Sequence, residues 1–255
     1  MRNILAIAHK ELKSYFSSPI GYVLIGLWVL LYGYFYISIL AYFVRASMMG
    51  QMGQGPQAVN VNQDLIRPLF YNVTIMVLFV LPGVTMRTYS EEKRSGTIEL
   101  LLTSPVSDFQ IIMGKFLGAM ALYAAMLAVT LIHIGILFVY GTPEWKPIAT
   151  AYLGFFLLGG CFISLGLFIS SLTKNQVIAF MATFSVFLFL WVINWIGSFV
   201  GPTASAITSY LSIIDHYDDF AKGVLDTTHL IYYLSFITFG LFLTAKSVDS
   251  ERWRG

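Results

Sequence analysis

Residues 148–200 read IATAYLGFFLLGGCFISLGLFISSLTKNQVIAFMATFSVFLFLWVINWIGSFV and carry a single charge, Lys174, with Asn175 beside it. The runs 148–172 and 177–200 are apolar on every side. Each is long enough to cross the hydrocarbon core of a bilayer, which takes about 20 residues of helix. Lipid offers no hydrogen bonds, so a chain that crosses it must close its backbone hydrogen bonds within each segment, as a helix does. The short polar turn at Lys174 and Asn175 therefore joins two membrane helices into a hairpin.

Working outward, the same reading gives four more spans. They are 20–43, 68–86, 111–140 and 230–245. Pro68 opens the second at a tolerated helix start, Lys115 is the one charge near the beginning of the third, and the last is the shortest, ending at Lys246. Composition agrees. Of 255 residues 57% are hydrophobic, 16% aromatic and 11% charged, against about 25% charged in a soluble domain. Mean hydropathy is +0.75. The expected fold is all-α, a polytopic membrane protein with one transmembrane domain over 1–255. A net charge of +2 gives no ground for a nucleic-acid partner. The sole cysteine, Cys161, excludes an internal disulfide.

The N-terminus does not read as a cleavable signal peptide, because His9, Lys10, Glu11 and Lys13 interrupt its apolar stretch. Ile4, Leu5, Ala8, Leu12, Tyr15 and Phe16 recur at helical spacing. They predict an amphipathic helix over 1–17 lying in the membrane interface, its lysines toward headgroups. Lys and Arg divide unevenly between the two sets of span ends. Arg2, Lys10, Lys13, Arg87, Lys93, Arg94, Lys115, Lys174, Lys246, Arg252 and Arg254 share one set, while Arg45, Arg67, Lys146 and Lys222 share the other. The positive-inside rule then puts both termini in the cytoplasm, as six spans require. Trp28, Trp145, Trp191, Trp195 and Trp253 read as partly interfacial, chiefly Trp145 and Trp253. Gly114 with Gly118, Gly160 with Ser164, and Gly166 with Ser170 are small residues four apart that would let helices approach closely.

The spans hold little chemistry. No Asp or Glu lies deep in any of them, and His133 is the main titratable group at depth. Ion-driven pumps and charged-ring channels need more than that. There is no helical zinc pair and no G-x-S-x-G elbow. The pair Gly114-Lys115 is not a phosphate loop, since Phe109 stands where a glycine is required and Phe116 where Ser or Thr would reach the metal. The chain is expected not to be an enzyme, to have no catalytic residues and no metal or cofactor of its own, and to draw any work from elsewhere. Asp215, His216, Asp218 and Asp219 read as a solvated acidic face rather than a metal site. The stretch 46–62, with Met48, Met49 and Met52, reads as a flexible loop rather than a copper(I) site.

The most informative polar stretch is RTYSEEKRSGTIELLLTSPVSDFQIIMGK, residues 87–115, whose segment 88–107 forms a loop between the second and third spans. Ser90 would cap a short helix with Glu91 and Glu92 in its first turn, and Ser95-Gly96 would end it. Thr97 would cap a second, with Glu99 in its first turn and Leu100, Leu101 and Leu102 presenting an apolar face. Pro105 ends that helix, and Ser107 or Asp108 caps the next. A rigid docking knob and a connector resting on headgroups both fit these residues. At the other side, within 203–226, the stretch 209–224 reads as a helix at the outer interface, with Tyr210, Ile213, Ile214, Tyr217, Phe220 and Val224 on one face and Asp215, His216, Asp218, Asp219 and Lys222 turned away.

The loop resembles the signature of ABC-2 type transporter permeases: a Glu-rich start, G-T-x-E-x-L-L, then S-P-V-S. Here these are Glu91, Glu92, Gly96, Thr97, Glu99, Leu101, Leu102, Ser104, Pro105, Val106 and Ser107. The opening HKELKSYFSSPIGYV, 9–23, is similar to the interfacial helix and first-span entry of that family. Within it, 210–236 and 245–254 look most like the gliding-motility-associated branch. The resemblance implies a bacterial inner-membrane permease subunit that moves or extracts a substrate, lipid-linked or polymeric, using ATP and Mg bound by a separate cytoplasmic ABC ATPase. A second permease copy or a related permease would complete the membrane core, and an auxiliary subunit with an extracytoplasmic domain would join it. The alternative it implies is a mechanotransmission subunit that drives such a partner without passing substrate. Glu91, Glu92, Arg94, Gly96, Thr97, Glu99, Leu101 and Leu102 would be the ATPase-coupling residues. Tyr210, Ile213, Ile214 and Tyr217 would form an extracytoplasmic gate in a re-entrant segment.

Overall fold

The computed structural model describes residues 2–53, 60–102 and 105–252. Among them the chain is helical, with no strand. Among the described residues six helices are long and apolar enough to span a membrane. α1 (Arg2–Ser17) leads into α2 (Pro19–Gln51). A wide π-helical turn, Val61–Ile66, feeds α3 (Arg67–Thr85). Two short helices follow, α4 (Ser90–Ser95) and α5 (Thr97–Leu102), and then α6 (Asp108–Tyr140), α7 (Trp145–Ser171) and α8 (Gln176–Val200). The short α9 (Pro202–Leu211) and α10 (Asp215–Ala221) precede α11 (Thr227–Arg252).

The caps follow from local sequence. Ser18 accepts from Ile20 N–H ahead of Pro19, which needs no donor partner at a first-turn position. Asn175 accepts from Val177 and Ile178 at the head of α8. Ser107 and Gln110 form a reciprocal capping box at the head of α6. α2 continues to Gln51, eight residues past its apolar run, so part of the stretch read as a loop is helix. Arg45, Ala46, Met48 and Met49 are good helix formers, and leaving the apolar zone does not end a helix.

α3 and α7 are the core. Buried residues make up 72% and 78% of the apolar windows through them, against 17% for α2, 22% for α8 and 17% for α11. The outer three are apolar and exposed, as expected of surfaces meeting lipid or a second chain. Glycines set the close approaches. A Cβ on Gly166 would lie 2.3 Å from Thr85 Oγ1, and one on Gly154 2.7 Å from Phe220 Cβ, so α7 meets α3 and α10 nearly backbone to side chain. Trp28 is fully buried and donates from Nε1 to the Met126 carbonyl at 3.0 Å. It is a core residue, not an interfacial anchor, because the indole N–H finds a carbonyl inside the bundle.

Candidate functional site

α1, the last turn of α11, α4 and α5 lie at one end of the bundle, the basal end; α9 and α10 lie at the other, the distal end. The basal end is organised around Lys115, one of the most buried side chains in the protein. It sits about two turns inside α6, where an unpaired ammonium would be costly. Its Nζ pairs with Glu11 Oε1 at 3.0 Å and donates to the Thr88 carbonyl at 2.7 Å. It also lies 2.9 Å from Glu92 Oε2, as an ion pair without hydrogen-bond alignment, and 4.9 Å from the centroid of the Tyr89 ring. Lys10 approaches Glu92 at 3.4 Å. One lysine thus gathers α1, α4 and the turn after α3 onto α6.

Further bonds close the joint. Tyr15 donates to the Val84 carbonyl at 2.9 Å. Arg87 bonds Glu91 at 2.8 Å and donates to Ser18 Oγ at 2.7 Å, tying the turn to the head of α2. Lys93, buried, pairs with Glu251 of α11 at 2.6 Å. Ser170 of α7 accepts from both Tyr89 and Ser90 N–H at 3.2 Å. It is therefore Ser170 that caps α4, and not Ser90, which donates instead to the Met86 carbonyl. A cleft of about 240 Å³ opens between α1 and α4, lined by Lys10, Ser14, Arg87, Glu91, Glu92 and Thr97 among others.

The loop residues singled out from sequence separate into two groups. Glu92 faces inward, its side chain only 15% exposed. Glu91 is 47% exposed, and Arg94, Gly96, Thr97 and Glu99 are exposed. Gly96 ends α4 at φ +73°, a left-handed conformation that favours glycine. Thr97 Oγ1 shares a hydrogen bond with Ser95 Oγ at 2.9 Å. Leu100 is 72% exposed, while the side chains of Leu101 and Leu102 lie outside those described. On α1, Ile7, Ala8, Glu11 and Tyr15 turn toward the bundle, and Leu5 and Phe16 stay exposed. The face expected to be purely apolar thus includes Glu11, because Lys115 needs an anion.

At the distal end the single amphipathic helix read over 209–224 is two helices broken at Ser212. Ser212 is extended (ψ 116°), and its hydroxyl accepts from Asp215 N–H, a competition with helix that serine often wins. The break divides the four residues expected to form a gate. Ile213 and Tyr217 are buried in the bundle, Ile214 is half-buried and Tyr210 is exposed. Asp218 takes Arg67 at 2.7 Å together with Tyr71 and Lys222. Burial alone would raise its carboxyl, but Lys222, Tyr71 and Arg67 hold it below its ordinary value. Ile214, Asp215 and Asp218 line a cleft of about 390 Å³ with Tyr71, Trp191 and Trp195. Among the described residues no group of three or more His, Cys, Asp or Glu is placed to hold a metal.

Residues 5–246 match the model of the family described as ABC-2 family transporter protein. The chain belongs to that family. This ABC-2 family protein is also 29% identical over 146 residues to proteins named "Probable multidrug ABC transporter permease YbhR" in Escherichia coli strain K12 and Escherichia coli O157:H7. The match covers 55% of the chain but only 38% of those relatives' length.

Several residues of the ABC-2 protein's basal joint carry signals readable in hindsight. Lys115 is a lysine inside an apolar span, which demands an acidic partner. Glu11, the acid of the first helix, is the natural candidate. Ser170 and the pair Lys93–Glu251 carry no such local signal, because their partners lie 80 or more positions away in sequence.

Proposed function

We propose that this chain is the permease subunit of an ATP-driven transporter, gripped by a separate cytoplasmic ABC ATPase at α4 and α5. The observation that supports this most is the attachment of α4: to α1 and α6 through Lys115, to α7 through Ser170 and to α11 through Lys93. A helix tied to so many others transmits a push instead of absorbing it. The outer flank of α4 and α5, with Glu91 and Arg94 on the first and Glu99 and Leu100 on the second, is exposed, polar at the rim and apolar at one point, the composition of a small docking surface.

In this reading the excess of Lys and Arg sets the basal end and both termini in the cytoplasm of a bacterial inner membrane. Two copies, or this chain and a related permease, stand over two ATPases that bind ATP and Mg. Closure of the ATPases drives α4, and Lys115 carries the displacement into α6. An auxiliary subunit with an extracytoplasmic domain acts at the distal end. The substrate is lipid-linked or polymeric by the resemblance to ABC-2 permeases, whereas the name of the Escherichia coli relatives points to drugs.

The test is affinity purification from native membranes. Arg94→Glu should lower ATPase recovery about tenfold, the effect of one interface residue worth ~1.4 kcal/mol, with permease yield unchanged, and Glu91→Lys should do the same per permease recovered, since it also breaks the pair with Arg87. Glu92→Gln, an internal residue, should lower permease stability instead. Full ATPase recovery with both flank variants rejects the docking role of α4.

A further inference from the structure

His216 of α10 and His229 of α11 face each other with their Nδ1 atoms 2.7 Å apart. Their outer nitrogens are assigned by their neighbours. His216 Nε2 lies 3.0 Å from the Tyr210 carbonyl oxygen, which only accepts, so Nε2 carries a proton and donates it. His229 Nε2 lies 2.9 Å from Asp219 Oδ2 and donates for the same reason. A neutral imidazole has one ring proton, and here both point outward. Two bare lone pairs would then confront each other across 2.7 Å, an arrangement that repels.

A cation between them removes the conflict. Zinc, with bonds of 2.0–2.1 Å at tetrahedral angles, would hold its two nitrogens about 3.3 Å apart. The observed separation is too short for that and matches an N–H···N hydrogen bond. The pair then holds three protons on four nitrogens and a single positive charge, neutralised by Asp219.

The geometry points to a proton-binding latch at the distal end, in which one proton shared by His216 and His229 ties α9 and α10 to α11. The groups around it are few. On α10, Asp215 adjoins His216, and Asp219 also meets Lys222 at 3.5 Å. Ahead of α11, Asp226 feels the His229 charge. The Tyr232 ring stacks on His216 at 3.7 Å, with Tyr210 and Tyr233 at its edges. From α7 comes Cys161, whose thiol donates to the Tyr233 carbonyl.

Two limits follow. Burial, reinforced by the His229 charge, keeps His216 below its ordinary 6.5, against the opposing Tyr210 carbonyl, Asp215 and Asp219. His216 is thus the neutral acceptor. In acid it gains its own proton, two N–H groups collide and the latch opens. In alkali the shared proton leaves and the lone pairs repel. The latch closes in between, so the mobility of the distal helices depends on pH independently of any ATPase docking at the basal end.

Hydrogen–deuterium exchange on the full-length chain in lipid nanodiscs tests this, with rates corrected for intrinsic pH dependence. Exchange over 205–221 should be slowest at intermediate pH and about tenfold to a hundredfold faster on either side, the effect of losing one charge-assisted hydrogen bond. His216→Gln and His229→Gln should each flatten the profile. A flat wild-type profile, or a bell that survives in both variants, overturns the latch. So does wild-type protection that rises with added zinc and falls with a chelator, since a metal would then occupy the proton's place. Nitrogen-15 histidine spectra of the wild type decide the matter if the variants fail to fold, because the chain has only four histidines to assign. Three ring N–H groups shared by His216 and His229 support the latch, and two overturn it.

Discussion

Lys115 has Glu11, Glu92, the Thr88 carbonyl and the Tyr89 ring around one ammonium. Removing it leaves two carboxylates with no nearby countercharge of equal quality. Lys115→Met should destabilise the protein by about 3–5 kcal/mol, the usual result of breaking a buried pair from one side. Glu11→Gln and Glu92→Gln added to Lys115→Met should restore much of the loss, because no charge is then stranded. Thermal unfolding in detergent reads both effects, and a single variant as stable as wild type refutes the joint. Asp218 gives a second test at this scale. Lys222, Tyr71 and Arg67 outweigh burial and hold its carboxyl low, so it binds its proton more weakly folded than unfolded. Its stabilisation is complete above its ordinary 3.8 and is lost as pH falls through the lower folded value. Asp218→Asn should remove that acid-side loss, so melting temperature between pH 5 and 3 should fall less in the variant than in wild type.

The seating of α1 depends on what α6 lacks. A Cβ on Gly114 would stand 2.6 Å from Ile7 Cβ, and one on Gly118 would stand 2.7 Å from Glu11 Cβ and 3.0 Å from the Ala8 carbonyl. Side chains at either position push α1 outward and carry Glu11 away from Lys115. Gly118→Val should therefore both destabilise the protein and lower ATPase recovery, although residue 118 lies in a span, remote from the docking flank. Retained recovery with normal stability would show that α1 seating is irrelevant to coupling. The glycine pair was legible in the sequence, and so were the apolar runs of the six long helices, because lipid permits so few backbone solutions. The breaks and caps were less so. Ser212 divides 202–221 through a single hydroxyl, and Ser170 caps α4 from another helix. Glu92 stands beside Glu91 with the same local chemistry, yet it turns inward because of a lysine 23 positions later. Such pairings are tertiary, and periodicity cannot carry them.

Across the whole molecule, charge is concentrated at the two ends, and the apolar middle has α3 and α7 at its centre. Lys10, Arg87, Lys93 and Lys115 take part in the basal joint, and Arg67 and Lys222 meet at Asp218 in the distal one. The partition by which the positive-inside rule orients the chain is therefore also a partition of ion-pair networks. This makes topology testable with little engineering. Cys161, the one cysteine, is fully buried, so it should react poorly with a membrane-impermeant maleimide. Lys174→Cys, exposed in the turn between α7 and α8, and Val224→Cys, exposed after α10, place single thiols at opposite ends. In intact spheroplasts the reagent should label Val224→Cys and spare Lys174→Cys, and inside-out vesicles should reverse the pattern. The opposite result would put α4 and α5 outside the cell, where no cytoplasmic ATPase reaches them, and would end the coupling proposal even if every ion pair at the basal end were correct.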